Sequence, residues 1–210
     1  MEEPTGGTGD RRPGGRPRDV GIDERVRGAV RDSLVEVGWD RTTLRGVATR
    51  AGVSRPAISR RWPSKGHLVL DAILGSVPDL DRFRGVDRAG WIRAVAAGSF
   101  ELFDRADVRA AVPGLLAILR DHDDIRDALW QGFTGPASAM LGTLDDPAAG
   151  APDPDEARAD AEAVIVLAAG AALISSLVVS DGNRPGVIDR VRRALDRALL
   201  SEDAPPASVT

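Results

Sequence analysis

The stretch Thr42–Lys65, with the sequence TTLRGVATRAGVSRPAISRRWPSK, decides how the N-terminal part of the chain folds. Thr43 and Ser54 each precede a short segment with helical spacing of apolar residues, and both are residue types that cap helix N-termini. Gly52 lies between these segments, where a tight turn between two helices needs a residue that adopts a positive φ. The stretch therefore predicts two short helices joined by a tight turn, which is the helix-turn-helix arrangement.

The residues on either side extend this unit. Apolar residues recur every three or four positions over Ile22–Val37, which predicts a first helix that stops at Gly38. Ser64 is placed to cap a last helix that runs to about Gly75. We therefore expect residues 20–75 to form a compact three-helix domain followed by an exit helix.

The remainder of the chain is also predicted to be helical, because its apolar residues recur at three and four positions and almost never alternate. We expect residues 76–200 to form a larger helical domain, so that the whole chain is all-α. Pro136 is expected to kink or split the helix that contains it. The expected segments are a helix from Asp87, helices over Pro113–Asp121, Asp124–Leu144, Glu156–Ser180 and Pro185–Leu200, and a loop over Asp145–Asp155.

The two ends of the chain are rich in Gly, Pro and small polar residues. Residues 1–19 are expected to form a disordered arm and residues 201–210 a disordered tail. Four arginines in the arm fit two interpretations equally, an arm that reaches the minor groove of DNA or a solubilising tail. They are Arg11, Arg12, Arg16 and Arg18.

Composition excludes several kinds of site. The chain of 210 residues has no cysteine and two histidines, so disulfides, thiolate nucleophiles and cysteine-bearing zinc sites are excluded. Little remains for a histidine-based metal site or a hydrolytic triad. We therefore predict no catalytic residues, no metal and no cofactor.

Charge is divided unevenly along the chain. Residues 20–75 carry a net charge of +4 and residues 76–210 one of −8. A basic unit beside an acidic one favours a polyanion as the partner of the first.

Membrane insertion is the other question that composition raises. Ala163–Ser180 has 18 uncharged residues in a row, but it is full of Ala, Gly and Ser, and acidic residues precede it. These features favour a buried or interface helix and no membrane partner. The start of the chain lacks the apolar segment of a secretory signal, so we expect a cytoplasmic protein.

The second short helix of the predicted helix-turn-helix carries several arginines. Phosphate oxygens bind helix N-termini and nearby cations, and arginine also takes guanine bidentately in the major groove. The pattern therefore points to DNA, although the spacing alone fits a helical hairpin with a solvated arginine face equally well.

Further residues in this stretch carry a family resemblance. The runs Thr42–Ala48, Ala51–Ser54 and Ile58–Lys65, followed by Leu68, resemble the N-terminal domain of the TetR/AcrR family of transcriptional regulators over roughly Ile22–Leu74. The resemblance implies that Thr43 and Lys65 contact phosphates. It also implies that Arg55, Pro56 and Arg60 face bases or the sugar-phosphate edge. The full set of predicted DNA contacts is Thr43, Arg45, Ser54, Arg55, Pro56, Ser59, Arg60, Arg61 and Lys65.

Two positions depart from the family pattern. Trp62 replaces the usual phenylalanine and is expected to fill the core in its place. Ser59 stands where most members carry a tyrosine that touches a phosphate, so this contact is expected to be weaker or mediated by water. Arg61 is expected to restore the contact through its charge.

The resemblance further implies a homodimeric repressor that leaves a palindromic operator on double-stranded DNA when a small hydrophobic effector binds its larger domain. An uncharged or cationic effector is expected, because no cluster of cations is available there. An equally good interpretation of the aromatic residues is that they simply fill the core. The predicted pocket residues are Trp91, Phe100, Phe103, Leu116, Leu119, Trp130, Phe133, Thr134 and Met140, with Gln131 and His122 as further polar candidates.

The predicted dimer contact follows from the residues themselves. Glu156–Ser180 is apolar or small around nearly its full circumference, which is more than one subunit can cover. We therefore expect four helices, two from each chain, to meet. The predicted contact residues are Val164, Leu167, Ala168, Ala171, Ala172, Ser175, Val178, Val191 and Leu195.

Two rival functions belong to other classes. A DNA-binding architectural protein would lack a preformed apolar cavity in the larger domain. A helical enzyme is disfavoured because no nucleophile and base pair, and no set of metal ligands, emerges from the residues.

Overall fold

The computed structural model describes residues 20–75, 85–141, 153–180 and 182–200. Within these ranges the chain is entirely helical, which confirms the all-α prediction. The expected arm, the tail and most of the expected loop at 145–155 lie outside the described residues. The helices are α1 (Val20–Arg41), α2 (Leu44–Ala51), α3 (Arg55–Ser59), α4 (Lys65–Leu74), α5 (Arg88–Asp104), α6 (Ala106–Leu119), α7 (Asp123–Leu141), α8 (Pro154–Val178) and α9 (Arg184–Leu200).

The first helix breaks where the glycine predicts it. Gly38 has φ 75° and ψ 179° inside α1, and one further helical turn follows as far as Arg41. The buried Thr42 closes this turn, since its Oγ1 donates to the Gly38 carbonyl oxygen at 2.8 Å. The break turns the chain from α1 into α2, which packs against α1, and α3 in turn packs against α2.

Two helices in the second half differ from their predicted bounds. α6 begins at Ala106, seven residues before the predicted start, and contains Pro113 in its interior. Proline inside a helix costs about 3 kcal/mol. The burial of Val108, Ala111 and Val112 in the core explains why the helix nevertheless forms there. α7 continues through Pro136 as one helix rather than splitting.

One hydrophobic core joins the N-terminal helices to those that follow. Val30, Leu34 and Leu68 belong to the same buried cluster as Val112 of α6 and Ile125 of α7. The junction is close, because a Cβ placed on Gly66 in α4 would lie 2.6 Å from Ile125 and 2.7 Å from Ile118. The N-terminal unit therefore rests directly on α6 and α7.

A second core lies between α5 and α8. It contains Trp91 and Ile92 of α5 against Ala161 and Ile165 of α8, and Leu195 of α9 packs on its edge. Contact between α5 and α8 is the most extensive of any helix pair in the described chain. Thus α8 is anchored by its inner face to the subunit's own core.

Candidate nucleic-acid interface and effector cavity

Hydroxyl side chains begin each short helix of the N-terminal unit. The Thr43 Oγ1 accepts a hydrogen bond from the Gly46 N–H at 3.1 Å, and the Ser54 Oγ accepts one from the Ala57 N–H at 3.3 Å. Both residues are exposed. A hydroxyl that accepts in this way retains its own O–H as a donor, so both caps keep a proton for a phosphate oxygen.

The turn between the two short helices depends on one glycine. Gly52 has φ 66° and ψ 35°, and its N–H donates to the carbonyl oxygens of Ala48 and Thr49. Ile58 on α3 is 1% exposed and fixes this helix against the core. The orientation of α3 is therefore set by a left-handed turn on one side and a buried anchor on the other.

Three arginines project from this unit without acidic partners. Arg45 on α2, Arg55 at the start of α3 and Arg60 at its end are exposed, and none forms an ion pair within the described part of the chain. Arg50 nearby is different, because it forms an ion pair with Glu36. Pro56 and Ser59 are exposed beside the three arginines. The surface over α2 and α3 therefore offers uncompensated positive charge together with hydroxyl groups.

Arg61 does not belong to this surface. Its Nε lies 2.8 Å from the Asp23 Oδ1 on α1, and its side chain is 20% exposed. Its Nη1 also donates to the Ala57 carbonyl oxygen at 3.4 Å. The expectation that Arg61 replaces the missing tyrosine contact is therefore not supported, because the side chain ties α3 to α1.

Lys65 is held by the end of α1. Its Nζ donates to the Trp39 carbonyl oxygen at 2.6 Å and lies 4.3 Å from the centroid of the Trp39 ring. Burial lowers the pKa of Lys65, because a charged ammonium loses hydration there. The ammonium still has two further donors, so the site is compatible with an additional anionic partner.

Trp62 fills the core as expected and also joins a polar cluster. It is 6% exposed, and its Nε1 donates to the Asp71 Oδ2 at 2.9 Å. The Arg27 Nε donates to the same oxygen at 3.1 Å. Asp71 therefore connects α1, the end of the helix-turn-helix and α4, which keeps the arginine-bearing surface rigid.

A separate cavity of about 520 Å³ opens between α5, α6, α7 and α8. Phe103, Leu119, Trp130 and Thr134, four of the residues proposed from the sequence to bind an effector, line it. Arg126 stands at its edge but donates to the Leu119 carbonyl oxygen at 2.8 Å and pairs with Asp123. Asp127 is exposed at the same edge and has no ion-pair partner among the described residues. The remaining lining residues are Leu129, Ile165, Val166, Ala169, Gly170 and Leu173.

Comparison with known proteins agrees with the geometry of the N-terminal unit. Residues 29–72 match the family described as bacterial regulatory proteins, tetR family. The N-terminal unit is therefore similar to this family of bacterial regulators over those residues. The HTH-type transcriptional regulator YdeS of Bacillus subtilis is 37% identical over 65 residues, which are 31% of this chain and 33% of that protein. The chain therefore spans about a third of the length of this relative.

Solved structures extend the likeness to the whole fold. A TetR transcriptional regulator from Rhodococcus sp. RHA1 matches with a TM-score of 0.62 at 18% identity, over 87% of this chain and 98% of that one. FadR of Bacillus subtilis, solved in complex with stearoyl-CoA, matches with a TM-score of 0.55 at 11% identity, over 82% and 96% of the two chains. Both share the helical architecture of the chain. The matched family consists of bacterial regulatory proteins and the matched relative is an HTH-type transcriptional regulator, so these likenesses favour DNA binding over the enzyme alternative.

Several residues predicted to line the cavity lie elsewhere. Trp91 is fully buried between α5 and α8, and Phe100 is buried with Arg192 5.4 Å from its ring centroid. Leu116 is exposed and does not line the cavity. The side chains of Phe133 and Met140 lie outside what the structure describes. The predicted polar candidates Gln131 and His122 are exposed and also do not line the cavity.

The predicted dimer residues on α8 divide between its two faces. Leu167 is 51% exposed and Val178 is 72% exposed, whereas Ala171 is half-buried. On α9, Val191 and Leu195 are half-buried. Four other residues predicted to contact the partner subunit are buried inside their own subunit. They are Val164, Ala168, Ala172 and Ser175. These four are wrong as direct dimer contacts, because they lie on the buried inner side of α8.

The outer face of α8 carries apolar residues that sequence reasoning missed. Val166, Ile174 and Leu177 are 51%, 58% and 47% exposed. With Leu167 and Val178 they form what we call the outer strip of α8. Asp155–Val178 is also the one helix of the described chain that is long and apolar enough to cross a membrane, a test that core helices of soluble proteins pass as well. Here its inner residues pack on α5.

Proposed function

We propose that the protein is a homodimeric transcriptional repressor that binds a palindromic operator and is released from it by a small hydrophobic effector. The observation that carries the DNA-binding part is the group of three exposed, unpaired arginines, Arg45, Arg55 and Arg60, on a TetR-family helix-turn-helix. Such a protein acts in the cytoplasm.

Each polar group on this surface has a role in the proposed complex. The hydroxyls of Thr43 and Ser54, which already cap α2 and α3, donate to phosphate oxygens and fix the register of the unit on the duplex. Arg55 and Arg60 flank α3 and read base edges in the major groove. Ser59 is too short to reach as far as a tyrosine, so its contact runs through water.

The outer strip of α8 supports the dimer. It holds five of the eight large hydrophobic residues that are exposed in the described chain. Apolar clusters of this kind on a soluble protein mark interaction surfaces. A second copy that packs its own outer strip against this one gives a two-fold contact, and two linked α3 helices then read a palindrome.

The cavity favours a sensing protein over an architectural one. Its walls are almost entirely apolar, and the nearby guanidinium of Arg126 is already engaged by carbonyl oxygens and Asp123. FadR holds stearoyl-CoA, whose long apolar chain would suit such walls. Among the described lining residues, Arg126 is the only cation and is already engaged, whereas Asp127 adds a negative charge. We therefore propose an effector that is uncharged or carries a positive charge next to an apolar body.

Operator binding is tested by selecting bound sequences from random duplexes and measuring affinities for the selected site. Arg60→Ala is expected to cost about 1–3 kcal/mol of binding free energy and to relax base preference near α3. Arg93→Ala on α5, which removes an exposed arginine outside this surface, serves as the matched control. A protein that binds the selected palindrome no better than random duplex would contradict specific regulation.

Effector binding is tested through Trp130, which lines the cavity and is 44% exposed. Quenching of its fluorescence by apolar amines is expected to weaken in Asp127→Asn, while quenching by neutral apolar compounds of the same size is expected to stay unchanged. Equal affinity of both compound classes in both proteins would contradict the role of Asp127.

A further inference from the structure

Trp39 joins three parts of the molecule that are distant in sequence. It belongs to the last turn of α1, directly after the break at Gly38. Its carbonyl oxygen and its ring both face the Lys65 ammonium at the start of α4, at 2.6 Å and 4.3 Å respectively. A four-carbon side chain is held in this way by a hydrogen bond and a cation–π contact at once.

The same tryptophan also touches the second half of the molecule. A methyl group added to Gly114 on α6 would overlap the Cγ, Cδ2 and Cε2 atoms of the Trp39 ring. Gly114 is buried, so the backbone of α6 lies directly against the indole. Any larger residue at this position would have to displace the ring.

α6 also borders the effector cavity. Leu119, five residues after Gly114 on the same helix, lines the cavity wall. One helix thus contacts the cavity at its end and Trp39 near its middle. Because a helix moves as a rigid element, a displacement at Leu119 is transmitted to Gly114.

Lys65 has unused binding capacity. An ammonium has three N–H donors. One donates to the Trp39 carbonyl oxygen, and the charged nitrogen lies over the Trp39 ring. Burial opposes the charged form, which a negatively charged partner would stabilise. A DNA phosphate supplies both the charge and the acceptor oxygens.

We propose that Trp39 is a positioning residue that presents the Lys65 ammonium to a DNA phosphate and makes its position depend on α6. The proposal rests on the DNA binding proposed above. When α6 moves, the Trp39 ring and carbonyl move with it, and Lys65 loses its place at the phosphate. A displacement of α6 at the cavity is thereby transmitted through Trp39 to the DNA contact of Lys65.

The test measures how the operator affinity of the full-length protein depends on salt. Each phosphate contact contributes about 0.9 to the slope of log affinity against log salt concentration, so Lys65→Met is expected to lower the slope by about 1 per subunit. Gly114→Ala and Trp39→Phe are expected to lower the slope toward the same value. In a Lys65→Met background, Gly114→Ala is expected to cause no further change.

Gly28→Ala is the matched control, because nothing lies within 4 Å of a Cβ added to this helical glycine. It is expected to keep the wild-type slope. Circular dichroism checks that each variant folds, and Trp39→Phe decides the question if Gly114→Ala does not fold.

The possible failures are distinguishable. A wild-type protein without operator preference overturns the proposed function. A wild-type protein that binds its operator, while Lys65→Met keeps the full slope, overturns only the contact between Lys65 and phosphate. A lowered slope in Lys65→Met with wild-type slopes in both Gly114→Ala and Trp39→Phe overturns the positioning role of Trp39.

Discussion

The N-terminal unit and the helices that follow it differ in where their apolar residues find partners. Among the described side chains of α1 to α4, the large apolar ones lie inside, except for Val35, which is 58% exposed. In α8, Val166, Leu167, Ile174 and Val178 are each more than half exposed while the opposite face is buried. The first region buries its apolar side chains in a core that it shares with α6 and α7, whereas the second presents surface that a further molecule can cover.

This difference shows that apolar residues in one chain serve two purposes, to fill the core and to form an exposed surface. An apolar residue in the N-terminal unit is evidence of the fold. An apolar residue in α8 belongs to the fold, the cavity or the outer strip according to its position on the helix, and Val166 lies where the cavity and the outer strip meet.

Adjacent residues on α8 should respond to the same substitution in opposite ways. Ala168→Asp places an unpaired carboxylate in the buried inner face and is expected to lower the free energy of unfolding by about 3 kcal/mol or more. Leu167→Asp is expected to leave a folded subunit but to shift the sedimentation of a dimer toward that of a monomer. Similar loss of helix in both variants would contradict the assignment of the two faces.

Gly52 in the turn of the helix-turn-helix should tolerate alanine less well than Gly28 inside α1. Gly52→Ala forces a Cβ into a left-handed backbone with φ 66° and is expected to cost about 1–2 kcal/mol in urea unfolding. Gly28→Ala in α1 is expected to stabilise the protein by up to about 1 kcal/mol, because alanine favours helix. If both substitutions changed the free energy of unfolding equally, the left-handed backbone at Gly52 would not be what makes this position sensitive.

The cap of α4 should contribute through its hydroxyl. Ser64→Ala is expected to cost about 1 kcal/mol of stability, because the Oγ then no longer accepts from the His67 N–H. Ser64→Gly, also a favoured capping residue, is expected to cost only a few tenths of a kcal/mol. Thermal unfolding of the two variants compares their stabilities. A larger loss in Ser64→Ala than in Ser64→Gly is the effect of losing the cap. If Ser64→Gly proves more harmful than Ser64→Ala, the capping role is wrong.

The ion pair between Arg50 and Glu36 should have the smallest effect, and one that depends on pH. Hydrogen bonding to Arg50 lowers the pKa of Glu36 below its ordinary value of 4.5. The resulting stabilisation is present above that value and is lost as the pH falls through the lowered pKa. The stability difference between wild type and Arg50→Met is therefore expected to be small at pH 7 and to vanish in acid. A difference that grows as the pH falls would contradict this assignment.

The parts of the fold that could be predicted are those with local signals. Thr43, Ser54, Ser64 and Asp87 each cap the helix that follows, as their positions indicated. The start of α6 could not be found in this way, because Arg105 makes no side-chain cap and Pro113 resembles a helix start. Where a helix begins without a cap, tertiary packing decides its bounds.

The functional surfaces follow the same rule. The exposure of Arg55 and Arg60 agrees with the helical pattern, but the turning of Arg61 toward Asp23 depends on how α3 lies against α1. From Ala163 to Val178 every position of α8 is apolar or small, so periodicity could not tell the side facing α5 from the side facing away. Ile165 and Leu173 were missed as cavity residues for this reason.

Lys65, which Trp39 holds, is the only lysine in a chain with 28 basic residues. Reagents that acylate side-chain amines therefore modify one defined position, and they react with the neutral amine, which the lowered pKa makes more abundant. Mass spectrometry of the labelled protein then reports the accessibility of a single atom. Binding of a duplex or displacement of α6 would each change the labelling rate of that one amine. No dye has to be introduced to detect the change.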